Sequence, residues 1–158
     1  MNRRTVPFAL LALLALVLAG CAPAVLGSRG TPYDLRRGET AQVAPGGVAY
    51  AQLDVPASEF GFDDADFSSL FVPCGGDRSC AVVTSRFELV DVAAPEGWTW
   101  RVDRADAVRQ PRFATKVDVR LRLDVPADAR LGGTQLRARL VAPSGVARPV
   151  ALVVQVVR

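Results

Sequence analysis

Apolar and polar side chains alternate most cleanly from Thr115 to Val125. There Val117, Val119, Leu121, Leu123 and Val125 interleave with Lys116, Asp118, Arg120, Arg122 and Asp124. Period two predicts a strand with one buried face and one ionic face. Pro126 ends it, and Ala127 to Gly133 supply a turn. Leu136, Ala138 and Leu140 then alternate with Gln135, Arg137 and Arg139, and a turn follows at Pro143-Ser144-Gly145. Val150 to Val157 form a last, nearly all-apolar strand. These three strands are expected to make an antiparallel meander, whose opposed outer charges pair at well under about 1 kcal/mol each.

The same reading upstream predicts strands at Thr40–Val43 and Val48–Val55 around Pro45-Gly46-Gly47, and at Phe87–Val92 and Trp98–Val102 around Ala93 to Gly97. Ser69–Val72 and Ala81–Thr84 read as short strands flanking a loop. No long helical periodicity occurs after residue 20. Seven or eight short strands with frequent turns, in a chain of 158 residues with 13 Gly and 11 Pro, predict an all-β fold, an antiparallel β-sandwich. Residues 33–158 are expected to form one domain, because the roughly 50 residues of its first part are thin for a core of their own.

Composition removes chemistry rather than adding it. The chain has no histidine, which excludes Ser-His-Asp and Cys-His catalysis and histidine metal sites. Sixteen acids always contain pairs, but a glycosidase needs two opposed across a cleft about 5–10 Å wide, and the sequence nominates none. Gly75-Gly76-Asp77-Arg78-Ser79 is not a nucleophile elbow. The expectation is a protein that is not an enzyme, with no cofactor and no metal site implied. Residues 22–100 carry 5 basic and 11 acidic side chains, and residues 101–158 carry 12 and 5. Paired strands would bring these opposite charges together. The formal charge is +3, and it falls to +1 once Arg3 and Arg4 are removed as argued next. That is no basis for binding nucleic acid.

Met1-Asn2-Arg3-Arg4 precedes an apolar run of 11 residues, Phe8 to Leu18. This is signal-peptide length, predicted as a helix, and is short of the about 20 residues that span a bilayer. The run ends Leu18-Ala19-Gly20-Cys21, which resembles the lipobox of bacterial lipoproteins at all four positions. The resemblance implies cleavage after residue 20 and acylation of Cys21. Several acyl chains then anchor the protein on a membrane. Ala22 follows the cysteine rather than aspartate, which by the sorting rule of two-membrane bacteria favours the outer membrane over the inner. Residues 1–20 are thus expected to be a signal peptide, and residues 21–32 a lipidated cysteine with a flexible tether. With Cys21 assigned to lipid, Cys74 and Cys80 remain, and outside the cytoplasm they are expected to form a disulfide closing a short loop. The Cys-x-x-Cys spacing of a redox pair is absent, and zinc would need further soft ligands.

Ala94-Pro95-Glu96-Gly97-Trp98, the strand to Asp124-Val125-Pro126-Ala127-Asp128-Ala129, and the Gly-Gly-Thr turn with two further strands cover about residues 86–158. They resemble immunoglobulin-like modules appended to α-galactosidases and bacterial surface proteins. The resemblance implies an immunoglobulin-like sandwich serving as spacer or adhesive surface, and it carries no catalytic residues. Two groups remain as candidate ligand sites. Asp63, Asp64 and Asp66 make an acidic stretch, either a solvated loop docked through Phe60, Phe62 and Phe67 or a weak calcium site. Trp98 and Trp100 fall in phase on one strand face, either as core or as a sugar-binding platform. The expected role is a lipid-anchored, extracytoplasmic interaction module with an envelope protein as partner. A glycan- or calcium-binding module is the alternative.

Overall fold

The computed structural model describes residues 25–62, 72–73, 79–80, 87–108 and 116–158, with only the backbone at 72–73, 79–80 and 107–108. The strands are β1 (Tyr33–Asp34), β2 (Thr40–Val43), β3 (Val48–Pro56), β4 (Val72–Pro73), β5 (Ser79–Cys80), β6 (Glu88–Ala93), β7 (Thr99–Val108), β8 (Lys116–Asp124), β9 (Gly132–Val141) and β10 (Ala147–Val156). Among the described residues they form two four-stranded sheets, β1-β3-β8-β7 and β2-β10-β9-β6, with β4 and β5 paired as a separate ribbon. Taking β3, β6, β7, β8, β9 and β10 as B to G, with the first strand divided between β1 and β2, the strand order is that of a constant-type immunoglobulin domain. The fold is an all-β, immunoglobulin-like sandwich. It is not purely antiparallel, because β1 runs parallel to β3 and β2 parallel to β10.

The alternation places the core as expected. Val117, Val119, Leu121 and Leu123 of β8 are buried, facing Leu136 and Leu140 of β9 and Leu152 and Val154 of β10. The expected meander of β8, β9 and β10 does not form. β9 and β10 pair as a hairpin, but β8 lies in the opposite sheet between β3 and β7. Alternation identifies the apolar face of a strand without naming its hydrogen-bonded neighbour, and residues 125–131 carry the chain from one sheet to the other.

β7 also runs further than its pattern predicts. The register with β8 shifts between Val102 and Arg104, so Asp103 is a bulge residue. Trp100 points into the core before the bulge and Ala105 after it, which breaks the even spacing. In β6 the register slips between Val90 and Ala93, where Asp91 takes a positive φ of 51°.

Residues 25–31 pack against the sandwich. The Tyr50 N–H donates to the Gly27 carbonyl at 2.8 Å, and Arg120 Nη1 donates to the Arg29 carbonyl at 3.1 Å. The Arg29 guanidinium reaches Asp103 on β7 at 3.3 Å. A Cβ on Gly27, whose φ is +84°, would come within 2.3 Å of the Tyr33 ring, so only glycine fits this crossing. Tyr33 is buried, and its hydroxyl accepts from the Gln42 N–H at 3.0 Å, tying the first strand of one sheet to that of the other.

Candidate functional site

Three surfaces carry the side chains from which a site can be built. The first is the outer face of β3, β8 and β7. Register sets Asp54, Asp118 and Asp106 in one row across the three strands, and Gln52, Arg120 and Arg104 in the next. Tyr50, Arg122 and Arg101 form a third row. Directly opposed charged neighbours on this face therefore share a sign, Asp beside Asp and Arg beside Arg, although opposite charges from the two halves of the chain do meet at Lys116–Asp54 here and at Arg139–Asp91 on the other sheet. Neutralisation instead runs along strands and on diagonals. Arg122 Nη2 meets Asp124 Oδ1 at 2.6 Å and Arg120 lies 3.7 Å from Asp118, while Arg104 pairs with Asp106 on β7. Lys116 reaches diagonally to Asp54 at 3.2 Å, and Arg101 to Asp124 at 3.8 Å.

Like charges side by side leave an electrostatic mark. Burial raises the Asp118 carboxyl above its ordinary value, Arg120 opposes this, and Asp54 and Asp106 raise it further. Hydrogen bonds that Arg104 and Arg122 donate to the Asp106 and Asp124 carboxylates hold the two guanidinium groups more firmly protonated. The three aspartates lie flat along one sheet rather than opposed across a cleft. Among the described residues no group of three or more acidic or cysteine side chains is placed to hold a metal ion. The row was invisible in the sequence, because Asp54, Asp106 and Asp118 meet only through the strand order.

The second surface is the outer face of β2, β10 and β9. Thr40, Val153 and Gln135 form one row, and Gln42, Gln155 and Gly133 the next. Ala151 sits opposite Arg137, and Pro149 opposite Arg139. Val153 is 40% exposed. Two arginines of β9 bring charge to this face: Arg139 meets Asp91 of β6 at 3.1 Å, and Arg137 bonds Gln135 of its own strand.

The third is a groove of about 360 Å³ at one end of the sandwich, lined by Pro95, Glu96, Trp98, Asp128, Arg130 and Leu131 among others. Trp98 is half-buried against the core. Trp100 is enclosed in the core, 4% exposed, with no hydrogen-bond partner for its Nε1 among the described residues. The two rings therefore do not make one exposed platform, and only Trp98 borders open space. Phe60 is fully buried, edge-to-face on Phe87 at 5.0 Å, and Phe62 also packs on the core. Cys21, Cys74, Asp63, Asp64 and Asp66 lie outside the described residues, as does Phe67, and the Cys80 side chain is likewise not described. The β4–β5 ribbon pairs Val72 with Cys80 and Pro73 with Ser79.

The chain matches no protein-family model, no curated protein and no solved structure. No helix among the described residues is long and apolar enough to cross a membrane.

Proposed function

We propose that this chain is a lipid-anchored, non-catalytic module of a bacterial cell envelope, exported by residues 1–20 and acylated at Cys21. Its partner is another envelope protein, bound on the outer face of β2, β10 and β9. The observation that carries this reading is the contrast in charge between the two sheets. The β3-β8-β7 face carries charges that pair along its own strands and on diagonals, whereas the rows Thr40-Val153-Gln135 and Gln42-Gln155-Gly133 hold no charge to strip of water. Central regions of protein interfaces are depleted in charge in the same way.

Strand addition is the poorer mode of binding. The ends of the sheets are blunted: β1 is two residues long and β2 four, while β6 and β7 each carry a register shift. The alternative, a glycan- or calcium-binding module, keeps Trp98 at its groove and Asp63, Asp64 and Asp66 as its candidates.

Cross-linking of the native protein in its own envelope, with the mass of its N-terminal peptide, tests both halves of the proposal. A single reproducible protein partner and an acylated peptide beginning at Cys21 are expected. Copurifying glycan without a protein partner would favour the alternative. An unmodified peptide beginning at Met1 would overturn the anchor.

A further inference from the structure

Resting on the lipid-anchored reading above, we infer that the sandwich does not stand off the membrane on a tether. Its turn end, carrying Val25, Leu26, Val48 and Leu131, lies directly on the bilayer surface. The length of the free chain carries this. Residues 21–32 are expected to be a flexible spacer, but the chain already borders the domain at Val25, which lines a groove with Val43 and Val48, and it is held there by the Tyr50 N–H on the Gly27 carbonyl and Arg120 on the Arg29 carbonyl. Only residues 22–24 separate Cys21 from Val25. Four virtual bonds at about 3.3–3.6 Å each reach about 14 Å when fully extended. As a flexible chain they span on average only about 10–12 Å. An acylated Cys21 sits at the headgroups, so Val25 stays within that distance of them.

The end so tethered is built for such a surface. Val25 enters beside the β2–β3 turn, and a groove of about 340 Å³ is shared by Val25, Leu26, Gln42, Val43 and Val48. The turn holds the start of the 125–131 loop, with the Gly46 N–H donating to the Pro126 carbonyl and the Val125 N–H to the Gly47 carbonyl, both at 3.0 Å. Leu131, at the far end of that loop, adjoins Gly132, which is in register with Val156 at the end of β10. Val25, Leu26, Val48 and Leu131 are 73%, 50%, 43% and 51% exposed. They are four of the six large apolar side chains that the described residues expose. The lipid surface is the occupant, because the anchor brings this end to it whatever else the protein binds.

The test uses the full, acylated chain in nanodiscs containing headgroup-nitroxide lipid, with an environment-sensitive fluorophore on Val48→Cys or Leu131→Cys. Ser144→Cys, in the β9–β10 turn at the opposite end, is the control. At least twofold stronger quenching at 48 and 131 than at 144 is expected. Equal quenching at the two ends, in protein whose Cys21 peptide is acylated, would overturn the inference and leave the anchor standing. An unacylated peptide would overturn both. Deuterium exchange gives a second readout in unlabelled protein, since residues 25–31 and 44–48 should be slowed on nanodiscs relative to a soluble Cys21→Ser chain. Unchanged exchange there would contradict contact with lipid.

Discussion

Inside the sandwich, β8 and β10 are nearly interchangeable. β8 turns Val117, Val119, Leu121 and Leu123 to the core, and β10 turns Val150, Leu152, Val154 and Val156. Outside they are opposites, with Lys116, Asp118, Arg120, Arg122 and Asp124 on one strand and Ala151, Val153 and Gln155 on the other. The inner faces need only be apolar to drive folding, so selection on the outer faces is free to diverge. One sheet has become a self-neutralising ionic surface that suits water. The other presents rows of neutral side chains across β2, β10 and the start of β9, with charge only at Arg137 and Arg139 further along β9.

The largest expected effect tests the likeness of the two interiors. Leu121→Ala and Leu152→Ala should each lose about 2–5 kcal/mol in urea unfolding, because both leave a cavity in a close-packed core. A loss below about 1 kcal/mol at either position would mean that its sheet does not share the core.

Gly27→Ala is next. Its Cβ has no room against Tyr33 and its φ is left-handed, so a cost of about 1–3 kcal/mol is expected. Hydrogen exchange should quicken at residues 25–31 while the centre of β8 stays protected. Unchanged exchange at 25–31 would show that this segment is not held on the sandwich.

Asp118→Asn probes the ionic face and should stabilise the protein near pH 7 by less than about 1 kcal/mol. The Asp118 carboxyl is raised on folding, so its protonation favours the folded state. Stability from this group is therefore present in acid and lost as pH rises through the raised value. The gain from Asn should accordingly vanish as pH falls below the ordinary carboxylate range. A gain that persists unchanged in acid would need another cause.

The smallest effect sharpens the outer contrast. Val153→Arg should change stability by no more than about 0.5 kcal/mol, as usual for an exposed site, yet abolish partner capture. Capture that survives it would move the partner off this face.

The legible parts of the fold are those that local chemistry determines. The alternation of β8 and β9 and the Pro-Gly turns mark strands wherever one face is buried, and Phe60 and Phe62 were readable as docking residues. Pairing was not legible, because Val117 to Val125 would read the same beside any apolar strand. The bulge at Asp103 hid the second half of β7 by changing the phase of its pattern. The packed segment at residues 25–31 has no periodicity, and its key glycine has meaning only beside Tyr33. The aspartate row joins three strands distant in sequence. Trp98 and Trp100 have the same phase in the sequence, but β7 begins at Thr99, so Trp100 turns into the core while Trp98 sits in the preceding turn, its N–H donating to the Pro95 carbonyl.

The central claim is that the outer face of β2, β10 and β9, through its uncharged rows at Val153 and Gln155, receives a protein partner. Photo-cross-linking residues placed singly at Val153 and at Tyr50, in the native envelope, test it most directly. The account predicts one discrete protein adduct from position 153 and none from position 50 on the ionic face. Adducts of equal strength from both positions, or from position 50 alone, would contradict it.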